Sequence, residues 1–123
     1  MKKITTLLAI LALCLASCER PQSETTYTLK NKLTDNYEIT ATVFEYDLDD
    51  NRVDSNSVVN PAVNQPYTFV ANPLAHHLKV RLTSAENTVR WGKNIFYLVE
   101  GEDTPLTVGL SMMANYSLTE PTL

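Results

Sequence analysis

From Tyr27 onward the chain is a succession of short runs in which apolar and polar residues alternate, each run closed by a turn signal. Successive side chains of a β-strand point to opposite faces, so a period of two marks strands with one buried face. Ile39, Ala41 and Val43 share one parity and are predicted to face inward, with Glu38, Thr40 and Thr42 outward. Leu78, Val80 and Leu82 alternate in the same way with Lys79, Arg81 and Thr83, and Leu106, Val108 and Leu110 with Thr107, Gly109 and Ser111. Between them stand Asp49-Asp50-Asn51, Asn72-Pro73, Glu86-Asn87 and Glu100-Gly101-Glu102-Asp103, residue types that favour turns. Asn51 is the residue expected to take the left-handed conformation of the first hairpin. Val53 to Val59 is more polar and suits an edge strand, while Pro61 and Pro66 bracket a loop because neither can donate to a ladder. No stretch after Thr26 sustains a helical period over about 12 residues. About seven or eight strands at this spacing predict an all-β fold, a single antiparallel β-sandwich over 27–123 with immunoglobulin-like or transthyretin-like topology.

The first 18 residues follow other rules. Lys2 and Lys3 precede an apolar segment from Ile4 to Leu15, interrupted only by Thr5 and Thr6. Twelve helical residues span about 18 Å, short of the roughly 30 Å hydrocarbon core, which argues against a permanent transmembrane helix. The segment ends in Leu15-Ala16-Ser17-Cys18, small residues directly before a cysteine. This resembles a bacterial lipoprotein signal peptide with its lipobox. The resemblance implies removal of 1–17 and lipidation of Cys18 by a diacylglycerol and an amide-linked acyl chain, enough for stable anchoring. The alternative is an ordinary secretory signal cut near Ser17, which would leave Cys18 as a free thiol. Residues 18–26 then form the lipidated cysteine and a polar, flexible tether. The expected location is the outer membrane, lipid-anchored. Its side stays open, since only Glu19, followed by Arg20, stands where surface-exported relatives carry an acidic run.

After removal of 1–17, the remaining 106 residues carry 8 basic and 14 acidic side chains, a net charge of −6 with histidine neutral. An acidic domain is a poor partner for nucleic acid or anionic lipid, so the membrane partnership falls to Cys18. Cys14 leaves with the leader, and the domain itself holds no thiol. That removes an internal disulfide, a cysteine-ligated zinc and a cysteine nucleophile from consideration.

Four groups of residues could carry chemistry. Asp47-x-Asp49-x-Asn51 matches the first three ligand positions of an EF-hand loop, but Arg52 replaces the required glycine and Val58 the bidentate glutamate. These are weak metal candidates, and the segment Glu45 to Asp54 reads as a solvated hairpin tip that guards an edge against aggregation. His76-His77 would point to opposite faces of one strand and so would not chelate one ion; they are expected at a loop-to-strand junction, partly exposed. No G-x-S-x-G elbow accompanies Ser84 or Ser111, and a domain this small offers little material for a glycosidase cleft. No catalytic residue and no cofactor is therefore expected. Among the aromatics, Trp91 with Arg90, Lys93 and Tyr97 could stack on a sugar, but a lone Trp in a sandwich is better placed between the sheets. Phe44 and Tyr46 have the parity opposite to Val43 and are expected exposed, as ligand contacts.

The runs Ile39-Thr40-Ala41-Thr42-Val43-Phe44-Glu45-Tyr46 and Leu78-Lys79-Val80-Arg81-Leu82, with Trp91 and Tyr97-Leu98 downstream, make the mature chain similar to the small β-sandwich lipoproteins of the Bacteroides type. The resemblance implies a non-enzymatic interaction or structural accessory module of the cell envelope, with an envelope protein as partner. The alternative is a glycan- or peptide-binding lipoprotein that uses its loop aromatics.

Overall fold

The structure is a computed structural model that describes residues 24–33, 38–109 and 116–123. The leader, Cys18, the turn Thr34-Asp35-Asn36, Leu110 and Ser111 lie outside the described residues. Among the described residues nine strands follow in chain order: β1 (Thr26–Asn31), β2 (Ile39–Tyr46), β3 (Arg52–Val59), β4 (Pro66–Val70), β5 (His77–Ser84), β6 (Val89–Gly92), β7 (Phe96–Tyr97), β8 (Asp103–Val108) and β9 (Tyr116–Ser117). The run from Val89 to Val99, expected as one strand, is two, because Lys93-Asn94-Ile95 lies outside the pairing. β1 begins at Thr26, one residue inside the expected tether.

The strands form two sheets, ordered β4-β1-β8 and β3-β2-β5-β6-β9, with β7 also paired to β5. The all-β sandwich architecture is as expected. One pairing departs from the antiparallel expectation: β1 and β8 run parallel from Thr26↔Asp103 to Asn31↔Val108. Parallel neighbours need a long crossover, and here nearly the whole chain supplies it. The immunoglobulin order places the first strand beside the second. Here β1 sits between β4 and β8 instead, so the order is not the immunoglobulin one.

Burial of the inward parity holds the sheets together. Tyr27, Leu29 and Leu106 of one sheet pack on Ile39, Ala41, Val43, Leu78, Val80 and Leu82 of the other. Cross-strand register puts Ala41 opposite Leu82 and Val43 opposite Val80, so the inward rows of β2 and β5 coincide. β3 is an edge, as its polarity indicated. In the β2–β3 hairpin the left-handed residue is Asp50 (φ 64°), not Asn51. Asn87 (φ 66°) serves the β5–β6 turn.

The opposite face of the larger sheet is also covered, and three expectations change there. Phe44, Tyr46 and Trp91 are 5, 2 and 7 % exposed and form a second apolar cluster with Val89 at its margin. Phe44 and Tyr46 do lie opposite Val43 in parity, but they are buried rather than presented to a ligand. The Arg52 guanidinium covers the Phe44 ring at 3.9 Å and that of Arg81 approaches it at 4.7 Å, with the Lys79 ammonium 4.2 Å from the Tyr46 ring. Long cationic side chains can lie along apolar surface in this way, and each cation over a ring adds attraction. Trp91 is buried, but not between the sheets: it pairs across from Arg81 and stacks near Phe44 on the outer face.

Candidate functional site: a histidine relay beside a cleft

Where β2, β5 and β7 end together, Tyr46, His77 and Tyr97 stand side by side in register. The His77 ring stacks on Tyr46 with centroids 5.5 Å apart and planes within 7°, and Tyr97 closes its other side at 6.0 Å. His77 is fully buried, contrary to the partial exposure expected for it. Its Nε2 lies 2.7 Å from Asp50 Oδ1, and its Nδ1 lies 2.9 Å from His76 Nδ1. The two histidines thus turn toward each other. The opposite-face rule applies within a strand, and His76 precedes β5, its N–H donating instead to the Tyr46 carbonyl.

Asp50 reaches this position because its left-handed backbone turns the hairpin tip back over β5. Its carboxylate also accepts from the buried Lys79 ammonium, whose nitrogen is 3.0 Å from Oδ1 and 3.2 Å from Oδ2. Lys79 in turn donates to Glu120 at 3.2 Å, and Glu120 accepts from Arg52 at 3.1 Å. The chain of charges Asp50–Lys79–Glu120–Arg52 pins the C-terminal segment onto the outer face. Bonds from His77 and then Lys79 hold the Asp50 carboxyl below the ordinary aspartate range. Burial disfavours the Lys79 ammonium, yet its bonds to Asp50 and Glu120 outweigh that and raise its pKa.

Linkage gives this a sign. A carboxylate whose folded pKa is depressed contributes stability that is fully present above its unfolded value, about 3.9, and is lost as pH falls through the lower folded value. Asp50→Asn should therefore lower stability by a constant amount above about pH 5, and the gap to wild type should close on acidification below about pH 4. Urea unfolding at a series of pH values checks this. A gap that widened in acid would refute the Asp50 assignment.

Of the weak metal candidates, the Asp47 carboxylate is otherwise engaged. Asp47 Oδ1 accepts from the N–H groups of Asp49 and Asn51, at 3.0 and 2.9 Å, and so closes its own turn. Among the described residues no group of three or more His, Cys, Asp or Glu side chains could hold a metal ion. Glu45, expected in the solvated tip, is instead fully buried on the core-facing row of β2. Its Oε2 accepts from Tyr27 Oη at 2.6 Å and Asn56 Nδ2 at 3.3 Å, and its Oε1 from the Asn72 N–H at 2.7 Å. Burial, and then the bond to Glu45, hold the Tyr27 phenol well above its ordinary pKa.

His76 opens onto a cleft of about 580 Å³ at the end of the sandwich where the described chain enters, lined also by Glu24, Thr25, Val70, Ala71 and Leu98. Of the aromatic ligand candidates only Tyr97 is exposed, at 55 %, and its ring lies 5.6 Å from that of His76. Sequence reasoning missed the relay because Asp50 and His77 are 27 residues apart and meet only once β2 and β5 pair. Compared with family models, with curated proteins and with solved structures, the chain matches none of them.

Proposed function

We propose that this chain is a lipoprotein of the outer membrane, anchored through Cys18, whose β-sandwich is a non-enzymatic interaction module of the cell envelope. Leu15-Ala16-Ser17-Cys18 behind an apolar segment carries the reading. The position of the cleft agrees with it. Glu24 lines the cleft and stands six residues after Cys18, a covalent reach of at most about 22 Å, so a partner in the cleft would be held close to the membrane. Among the described residues no helix is long and apolar enough to cross a membrane.

Replacement of the proposed acyl acceptor tests the anchor. Cys18→Ala should abolish metabolic palmitate labelling and leave an uncleaved or mislocalised precursor. Labelling equal to wild type would refute lipidation at Cys18, and the localisation with it. A second reading, binding of a glycan or peptide through aromatics, rests on Tyr97 alone, since Phe44, Tyr46 and Trp91 are buried.

A further inference from the structure

We infer that the end of the sandwich where the described chain begins is a lipid-contact surface, with Leu48, Leu74, Tyr97 and Val99 entering the interface of a zwitterionic bilayer. The orientation rests on the lipid anchor proposed at Cys18.

Backbone pairing gathers these residues. Tyr46 of β2 stands opposite His77 of β5, and His77 opposite Tyr97 of β7. Just beyond those pairs come the hairpin tip that carries Leu48, the turn from Asn72 to Ala75 that carries Leu74, and the turn from Val99 to Glu102. The smaller sheet has its Thr26 end here too, with Val70 and Asp103 opposite Thr26 and the Asn72 N–H bonded across to Glu45. Leu48, Val70, Leu74, Tyr97 and Val99 are thus five of the nine large apolar side chains exposed among the described residues. Val59 and Val63 lie at the opposite end, and Leu118 and Leu123 belong to the C-terminal segment. Apolar residues scattered singly on a surface are ordinary, whereas a group confined to one end marks a contact.

The local structure presents the two leucines outward. Leu48 and Leu74 are 72 and 70 % exposed, each in a turn fixed by its own side-chain bond. Asp47 Oδ1 accepts from the Asp49 N–H at 3.0 Å, and Asn72 Oδ1 from the Leu74 N–H at 2.9 Å. Turns favour polar residues at such tips, and a turn already fixed loses little freedom on entering an interface. Tyr97, with an apolar ring and a polar tip, suits the headgroup level beside them.

The chain decides what lies beyond this end. Glu24 lines the cleft here and follows Cys18 by six residues, so this end is held within at most about 22 Å of the acyl chains. Val59, which closes the eight-residue β3, is about 23 Å further away. The tether alone lets the domain stand off the bilayer, and the apolar group closes that gap. Charge selects the lipid: Glu24, Asp49 and Glu102 are exposed among the apolar residues and are repelled by anionic headgroups.

The test uses the full chain reconstituted in vesicles of phosphatidylcholine and phosphatidylethanolamine, with palmitate labelling of the same preparation. Leu74→Cys and Val59→Cys each add a thiol for an environment-sensitive fluorophore, and lipids with a nitroxide at the headgroup serve as quencher. The Leu74→Cys reporter should shift to the blue and lose most of its emission to the nitroxide lipids, while the Val59→Cys reporter keeps its own. With the reporter at Val99→Cys, Leu48→Ser and Leu74→Ser together should reduce quenching to the level at Val59, which excludes insertion driven by the fluorophore. Added phosphatidylglycerol should weaken the quenching. On an acylated chain, an unquenched Leu74→Cys reporter, equal quenching at both ends, quenching that survives the serine pair, or quenching strengthened by phosphatidylglycerol overturns the inference and leaves the anchor standing. A blue shift that grows with protein density, without nitroxide quenching, overturns it by giving this end to a second copy of the chain. A chain that takes up no palmitate overturns the anchor and this surface together.

Discussion

Glu45→Ala should destabilise the domain by about 3–5 kcal/mol, a large part of the ~5–15 kcal/mol that holds an ordinary small domain folded. Glu45 sits in the core row that continues Ile39, Ala41 and Val43, and it is fully buried. Its two oxygens serve three donors from three places: Tyr27 on β1, Asn56 on β3, and the backbone of Asn72 after β4. The Tyr27 contact is a bond between the two sheets. Truncation leaves a buried phenol and a part-buried N–H without their acceptor, at about 1–3 kcal/mol each, and adds a cavity. Tyr27→Phe should cost less, about 1–2 kcal/mol, because Glu45 keeps its other two donors, although Asn56 Nδ2 loses the Tyr27 Oη to which it donates at 2.6 Å. Guanidinium chloride unfolding distinguishes the two, with the midpoint lowered and the slope unchanged. A loss below about 1 kcal/mol for Glu45→Ala would show that these donors find other acceptors, and that the carboxylate does not join the sheets.

Glu45 also marks where the sequence stops being legible. Alternation assigned the inward faces of β2, β5 and β8 correctly, from Ile39, Ala41 and Val43, from Leu78, Val80 and Leu82, and from Leu106 and Val108. At Glu45 parity points inward and charge points outward, and nothing local decides between them. Parity wins because Tyr27 and Asn56 arrive from other strands with the hydrogen bonds a buried carboxylate needs. The outer face fails for a related reason. A period of two tells which residues share a face but not what lies over it, and Arg52, Lys79 and Arg81 cover Phe44 and Tyr46 with their side chains. The parallel pairing of β1 with β8 joins residues 77 apart, as in the Thr26–Asp103 bond, and no local pattern announces it. The His76–His77 contact depends on where β5 begins, and boundaries are the least certain part of a periodic pattern.

Trp91 separates a structural role of that outer cluster from a ligand-binding one. Its ring lies 5.4 Å from Phe44 at 32° and 5.7 Å from the Arg81 guanidinium, with Val89 beside it. Fluorescence of the native domain should be blue-shifted and little quenched by iodide. Trp91→Ala should cost roughly 3 kcal/mol, the low end for a buried aromatic, because a cluster on an outer face can partly close or admit water. The measurement that locates the loss is a double-mutant cycle with Phe44→Ala. Residues in contact couple by about 0.5–3 kcal/mol, whereas a Trp91 packed between the sheets would act independently of Phe44. Strict additivity, or a red-shifted and readily quenched emission, would remove Trp91 from the cluster and return it to the surface as a stacking platform. The expected coupling follows from the chain itself. Phe44 and Trp91 sit on the neighbours that flank β5, and Arg81 between them stacks on both rings, so removal of either ring strips the other of a shared cation.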